Sequence, residues 1–213
     1  ATTEIYTLSL HAALPICTIA QYVTIGCKYI AIPYLDDSMR PGTPDFGQVI
    51  ERIRLIGHQC AKHGIGLLYH NHDFEFIRMP DGSYGLDYLY QAIPADLLQT
   101  ELDTCWINVA GESPAAYIEK YAGRCPLVHF KDFYRTSRKS GGQSYALIGQ
   151  PKKADRGQDF EFRPVGHGLQ DVPDLLRAAV ASGAFWIIVE QDQSVGRTPL
   201  EAAEMSVRYL RSL

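Results

Sequence analysis

No stretch of the 213 residues is apolar for long enough to suggest a membrane span. Positive charge is scarce: 20 Lys and Arg against 24 Asp and Glu give a net charge of −4. That balance argues against a surface built for nucleic acid or anionic lipid. The cysteines (Cys17, Cys27, Cys60, Cys105, Cys125) are scattered, with no C-x-x-C pair, and several sit in apolar surroundings. Such a pattern predicts reduced, buried thiols in a cytoplasmic protein rather than a disulfide framework. Neither a G-x-G-x-x-G nor a P-loop is present, so nucleotide-binding folds lack their fingerprint, and no internal repeat is evident.

Ala1–Ile16 reads ATTEIYTLSLHAALPI, which at every position but Ala12 matches the translation of a widely used sequencing adapter. A targeting segment is the other reading, but Glu4 precedes its apolar part and no basic region leads it. Residues 1–16 are therefore set aside as adapter-derived. Residues 17–213 are expected to form one partial domain whose native beginning, with any signal peptide, is missing.

What remains is a regular alternation. Runs at 28–34 (KYIAIPY), 65–69 (IGLLY), 97–102 (LLQTEL), 126–132 (PLVHFKD) and 184–189 (AFWIIV) read as strands. A helix from Thr18 stops at Gly26, and a second runs from an N-cap at Thr43 to near Gly64. The second carries an apolar stripe of Val49, Ile50, Ile53, Ile56, Gly57 and Cys60. Further helices are predicted over 85–92, from Ser113-Pro114 to Tyr121, over 172–181, and after Thr198-Pro199-Leu200-Glu201. Residues 133–164 form a long polar connection of the kind used for lids and binding loops. The β-α unit recurs five times, which predicts a parallel α/β sheet.

The strand within LLYHNHDFEF ends in His70-Asn71-His72-Asp73, and alternation puts His70 and His72 on one face. On that segment alone, a metal or catalytic pair and a hydrogen-bonded strand cap are equally good readings. Three more strands end in polar residues two apart: Glu101 and Asp103, His129 and Lys131, Glu190 and Asp192. In a β/α barrel such ends meet at one mouth. Buried charges are costly unless paired or metal-bound. A mixed His/carboxylate set suits one divalent ion: Mn, Zn, Co or Fe.

In order, LLYHNHDFEF, ELDTCWINVAG, LVHFKDF, VGHGLQDVPDLL and WIIVEQDQS resemble the sugar phosphate isomerase/epimerase family of the xylose-isomerase-like TIM-barrel superfamily. The resemblance runs from about Thr18 to Leu213. It implies an α/β fold that is an incomplete (β/α)8 TIM barrel, roughly strands 4 to 8 with their helices. An unclosed barrel exposes strand edges, so the chain by itself is expected to be poorly stable and inactive. Matched by motif, the metal ligands implied are His70, Asp103, His129 and Glu190, with His72 as the alternative to His70. His70 stands where epimerase-type relatives carry glutamate, which counts against a two-base epimerisation. His167 lies in VGHG where similar proteins read V-G-E-G, in a loop expected over the substrate.

The function expected is proton abstraction beside a carbonyl by a sugar isomerase or epimerase. A keto-sugar or inosose dehydratase, a keto-glycoside lyase and a non-catalytic carbohydrate-binding relative are the alternatives. Glu190 is expected to ligate and act as base, His72 to serve as a second acid/base, and Lys131 to donate to developing negative charge or pair with Asp103 or Asp192. His167, Trp106 and Asp192 are expected to meet the substrate, with core packing the other reading of Trp106 and Tyr69. Glu101 and Asp192 are also placed as residues that orient the ligands. The partner expected is a small-molecule sugar or sugar derivative, with no nucleic acid and no membrane; a homo-oligomer is left open.

Overall fold

The computed structural model of the protein describes residues 5–7, 16–136 and 160–213. They fall into two units, residues 1–102 with 124–126, and residues 103–123 with 127–213. Among them, no helix is long and apolar enough to cross a membrane.

The first unit holds β1 (Ile5–Thr7), α1 (Ile16–Thr24), β2 (Tyr29–Ile32), α2 (Phe46–Lys62), β3 (Gly66–His70), α3 (Gly85–Ala92) and β4 (Gln99–Asp103), whose last residue counts with the second unit. The strands are parallel: Ile32 lies opposite Tyr69, and His70 opposite Glu101. Leu67, Leu68 and Tyr69 are buried in succession, as expected of a strand covered on both faces. The stripe on α2 is buried from Phe46 to Cys60. A Cβ at Gly57 would stand 2.4 Å from the Leu97 carbonyl oxygen, so glycine is what lets this helix lie against the approach to β4. Gly26, with φ +77°, ends α1 as anticipated.

Two expectations are corrected. Thr43 does not cap α2. The capping position is Asp45, while the Thr43 hydroxyl donates to the Arg40 carbonyl at 2.7 Å, closing the preceding turn. The second correction concerns the 133–164 connection and belongs to the second unit. Within the segment set aside, Ile5–Thr7 pairs in parallel with β2, Ile5 opposite Tyr29. A strand edge offers unpaired backbone groups to any extended neighbour, so this pairing requires no particular side chains.

That unit holds α4 (Thr104–Val109), α5 (Pro114–Lys120), β5 (Leu127–Phe130), β6 (Asp132–Arg135), β7 (Phe160–Arg163), α6 (Val172–Ala181), β8 (Trp186–Val189) and α7 (Pro199–Leu210). β5 and β8 are parallel, with His129 opposite Ile188. Instead of continuing β5 to Asp132 and then looping, the chain starts a new strand. β6 and β7 form an antiparallel pair, Asp132 opposite Arg163. Phe133 and Phe162 drive this pairing by packing with Cys105 and Trp106 in a buried cluster. Residues 137–159 of the expected connection lie outside the described residues. Ser113 caps α5, accepting from Ala116 N at 3.3 Å, and Thr198 with Glu201 forms a capping box on α7.

Candidate metal centre

Asp103 is the last residue of β4 and the N-cap of α4, and this double position orients its carboxylate. Oδ1 accepts from Cys105 N at 2.8 Å and from Trp106 N at 3.2 Å. Oδ2 lies 3.8 Å from Lys131 Nζ. Thr104 joins the next strand to this point: its hydroxyl donates to the His129 carbonyl at 3.0 Å and accepts from Lys131 N at 3.3 Å. His129 Nδ1 lies 2.9 Å from Glu190 Oε2, just past the end of β8. One ligand atom each from Asp103, His129 and Glu190 therefore lies within 4.8 Å of the other two.

Lys131 binds this group together. Its ammonium is 3.4 Å from Glu190 and 3.0 Å from Asp192, and it sits about 5 Å over the Trp106 and Phe162 rings. Burial pulls the Lys131 pKa down, but Asp103, Glu190 and Asp192 outweigh it and hold the ammonium above its ordinary value. Three carboxylates thus surround one lysine and one imidazole, so acids outnumber cations even with the imidazole protonated. Such an excess of negative charge on nitrogen and oxygen donors fits a divalent cation. Access is unequal: Asp103 and Asp192 side chains are 0% and 4% exposed, whereas Glu190 is 30% exposed. Glu190 is the acid of this set that can meet a substrate.

In the first unit, His70 and His72 leave the end of β3 together, ring centroids 5.2 Å apart. His70 Nδ1 is 3.9 Å from Glu101 Oε1. The His72 ring stacks on Phe74, centroids 5.3 Å apart, with the edge of Tyr34 against it. Glu75, not singled out from the sequence, fixes the turn between them. It accepts from the Tyr69 hydroxyl at 2.6 Å and from His72 N at 2.8 Å. Burial pushes the Glu75 carboxyl up to about 8, against the pull of those two donors. Its one sequence signal was an acid inside the apolar Phe74–Phe76 turn, three residues after His72.

Trp106 is fully buried among Cys105, Phe133 and Phe162, and Tyr69 is fully buried as well. His167 is exposed, its ring 6.2 Å from that of Tyr209. Asp132 was likewise passed over in the sequence: it is buried beside Lys131 and accepts four backbone N–H groups. Burial raises its pKa despite those donors.

The family model for the xylose isomerase-like TIM barrel matches residues 16–213. The chain is 23% identical over 177 residues to an inosose dehydratase of Lacticaseibacillus casei, an alignment covering 82% of this chain and 57% of that protein. The chain thus spans little more than half the length of that curated relative. In structure it is similar to a sugar phosphate isomerase/epimerase from Parabacteroides distasonis, with TM-score 0.71 and 21% identity over 98% of this chain and 70% of that one. It is also similar to a xylose isomerase-like TIM barrel protein from Mycobacterium smegmatis in complex with magnesium. There the TM-score is 0.68 and the identity 14%, over 98% of this chain and 72% of that one.

Proposed function

This chain belongs to the xylose isomerase-like TIM barrel family, and from that premise we propose that it serves a divalent-metal-dependent sugar isomerase or epimerase working by proton abstraction beside a carbonyl. The observation that carries the reading is Glu190, the one partly exposed acid of the Asp103, His129 and Glu190 group. His70 is proposed as the fourth ligand. In its support, β3 and β4 are neighbours with His70 opposite Glu101, and Asp103 lies two residues farther along β4 on the same face. The magnesium complex of the Mycobacterium smegmatis protein supports a divalent ion here.

A bound ion would supply Lewis-acid polarisation of the substrate's oxygens. The chain supplies the rest. Glu190 takes the proton from the carbon beside the carbonyl, and His129, in contact with its Oε2, orients that carboxylate. Lys131 holds a positive charge where negative charge develops on the substrate oxygen. His72 is proposed as the second acid/base, with His167 meeting the sugar hydroxyls and Asp192, paired with Lys131, holding that ammonium in place.

A second reading, a keto-sugar or inosose dehydratase, is favoured by the inosose dehydratase similarity. His70 in place of a second glutamate points the same way. After Glu190 removes the proton, the carbon–oxygen bond beta to the carbonyl breaks, and the leaving hydroxyl takes a proton from His72 and departs as water.

The test is elemental analysis followed by incubation of keto-sugars and keto-inositols in D2O. About one divalent ion per chain is expected, lost in His129→Ala and Glu190→Ala. Glu190→Gln is expected to slow carbon deuteration by about 10²–10⁴-fold. Isomeric products support the first reading, and a dehydrated enone the second. Failure to bind Mn²⁺ or Zn²⁺ would sink both.

A further inference from the structure

One buried carboxylate dictates the shape of the Gly166-His167-Gly168 loop. Asp132 is 1% exposed and is encircled by main-chain donors. Its Oδ1 accepts from Phe133 N at 2.8 Å and Gln170 N at 3.1 Å, and its Oδ2 from Gly166 N at 3.0 Å and Gly168 N at 2.9 Å. Both glycines are sterically required. A Cβ at Gly168 would lie 2.1 Å from Asp132 Oδ1, and one at Gly166, where φ is +85°, would lie 2.3 Å from the Tyr209 ring. His167 is therefore the one side chain the tripeptide presents, and it is exposed.

The loop is also joined to the candidate centre. Gln170 Nε2 donates to the Lys131 carbonyl at 3.2 Å, and Gln170 Oε1 accepts from Asn108 at 3.0 Å. Leu169 N donates to the Phe133 carbonyl at 2.9 Å, and Val165 N to the Ser206 hydroxyl at 3.0 Å. A loop bonded at this many points is a fixed arm, and Lys131, between β5 and β6, is followed directly by Asp132, the residue that holds the loop.

We infer that Asp132 is a positioning residue acting through His167: its carboxylate shapes the loop so that the imidazole stands as a preset hydroxyl-binding group for a polyhydroxylated ketone. The ligand class rests on the function proposed above; the loop clamp rests on the structure alone. Preorganisation of this kind lowers the ordering cost of binding a flexible polyol.

The test variant is Asp132→Asn, which keeps the volume but turns an NH2 toward two of the four donors. Amide hydrogen exchange at Gly166, Gly168 and Gln170 is expected to rise at least tenfold in this variant, with Val128 and Phe130 in β5 unchanged. Metal content is expected to equal that of the wild type, which separates the clamp from the metal centre. In titrations of the metal-loaded protein with 2-keto-myo-inositol, His167→Ala and Asp132→Asn are each expected to weaken binding by about tenfold, the loss of one hydrogen bond. The double variant is expected to bind no more weakly than His167→Ala. Losses that multiply in the double variant would overturn the action through His167, and unchanged exchange in Asp132→Asn would overturn the clamp. Absence of ketone binding by the wild type would overturn the ligand class, with the exchange comparison still deciding the clamp.

Discussion

Glu75 is a carboxylic acid kept in the wrong charge state for neutral water. Burial lifts it from the ordinary 4.5 to about 8, while the Tyr69 hydroxyl and the His72 N–H offset only part of the shift. The folded protein therefore binds this proton more tightly than the unfolded chain does. The stabilisation is complete below about pH 4.5 and is lost as pH rises through 8. At roughly 1.4 kcal/mol per pKa unit, a few kcal/mol of stability depend on it. In urea unfolding, Glu75→Gln is expected to lose less stability than the wild type between pH 5 and pH 8.5. Parallel pH profiles would show that Glu75 is ionised in the fold.

Lys131 presents the opposite case, a buried cation surrounded by acids. Lys131→Met would leave Asp103, Glu190 and Asp192 facing one another without their ammonium. A loss of about 3–5 kcal/mol is expected without metal. Loading with a divalent ion is expected to restore more stability to this variant than to the wild type. Thermal melts with and without Mn²⁺ read both quantities.

Among the elements, α2 and α7 show where local rules end and packing begins. On α7, Thr198 and Glu201 form the reciprocal cap that Thr-Pro-Leu-Glu announces, and Thr198→Ala is expected to cost about 1 kcal/mol. On α2, glycine to alanine at position 57 should by propensity gain up to about 1 kcal/mol. The Leu97 carbonyl, 2.4 Å from where that methyl carbon would lie, reverses the sign. Gly57→Ala is expected to destabilise by about 1–3 kcal/mol, as overpacking does. A variant more stable than the wild type would mean that α2 does not lie so close to residue 97.

At the scale of the whole molecule, the chain leaves the first unit after Leu102 and returns to it at Arg124–Pro126. Arg124 secures that return by donating to the carbonyls of Leu98, Tyr90 and Ile93 at 3.0, 2.7 and 2.7 Å, with its guanidinium over the Tyr90 ring. Arg124→Lys keeps the charge but cannot span three carbonyls set around a planar fork. Charge-assisted bonds of this kind contribute about 1.5–3 kcal/mol each, so the lysine variant is expected to melt well below the wild type. An unchanged melting temperature would mean that the segment is held by its neighbours alone.

Much of this protein could be read in its sequence because the relevant physics is local. Apolar runs gave β2, β3, β4, β5 and β8 to within two or three residues, and α2 showed its buried stripe as a period. Strand alternation paired His129 with Lys131 and Glu190 with Asp192, so residues later found together were already candidates. The tertiary structure decided what depends on contacts between distant segments. The β6–β7 pairing joins strands separated by more than twenty residues, and Phe133 and Phe162 become a core cluster only once they meet Trp106. Asp132 looked like the polar end of a strand because its four donors lie on Phe133 and on the distant Gly166, Gly168 and Gln170. Gly57 looked like one more residue of the stripe because Leu97 lies forty residues away. Periodicity reports which face of an element is buried; it carries no information about what that face will touch.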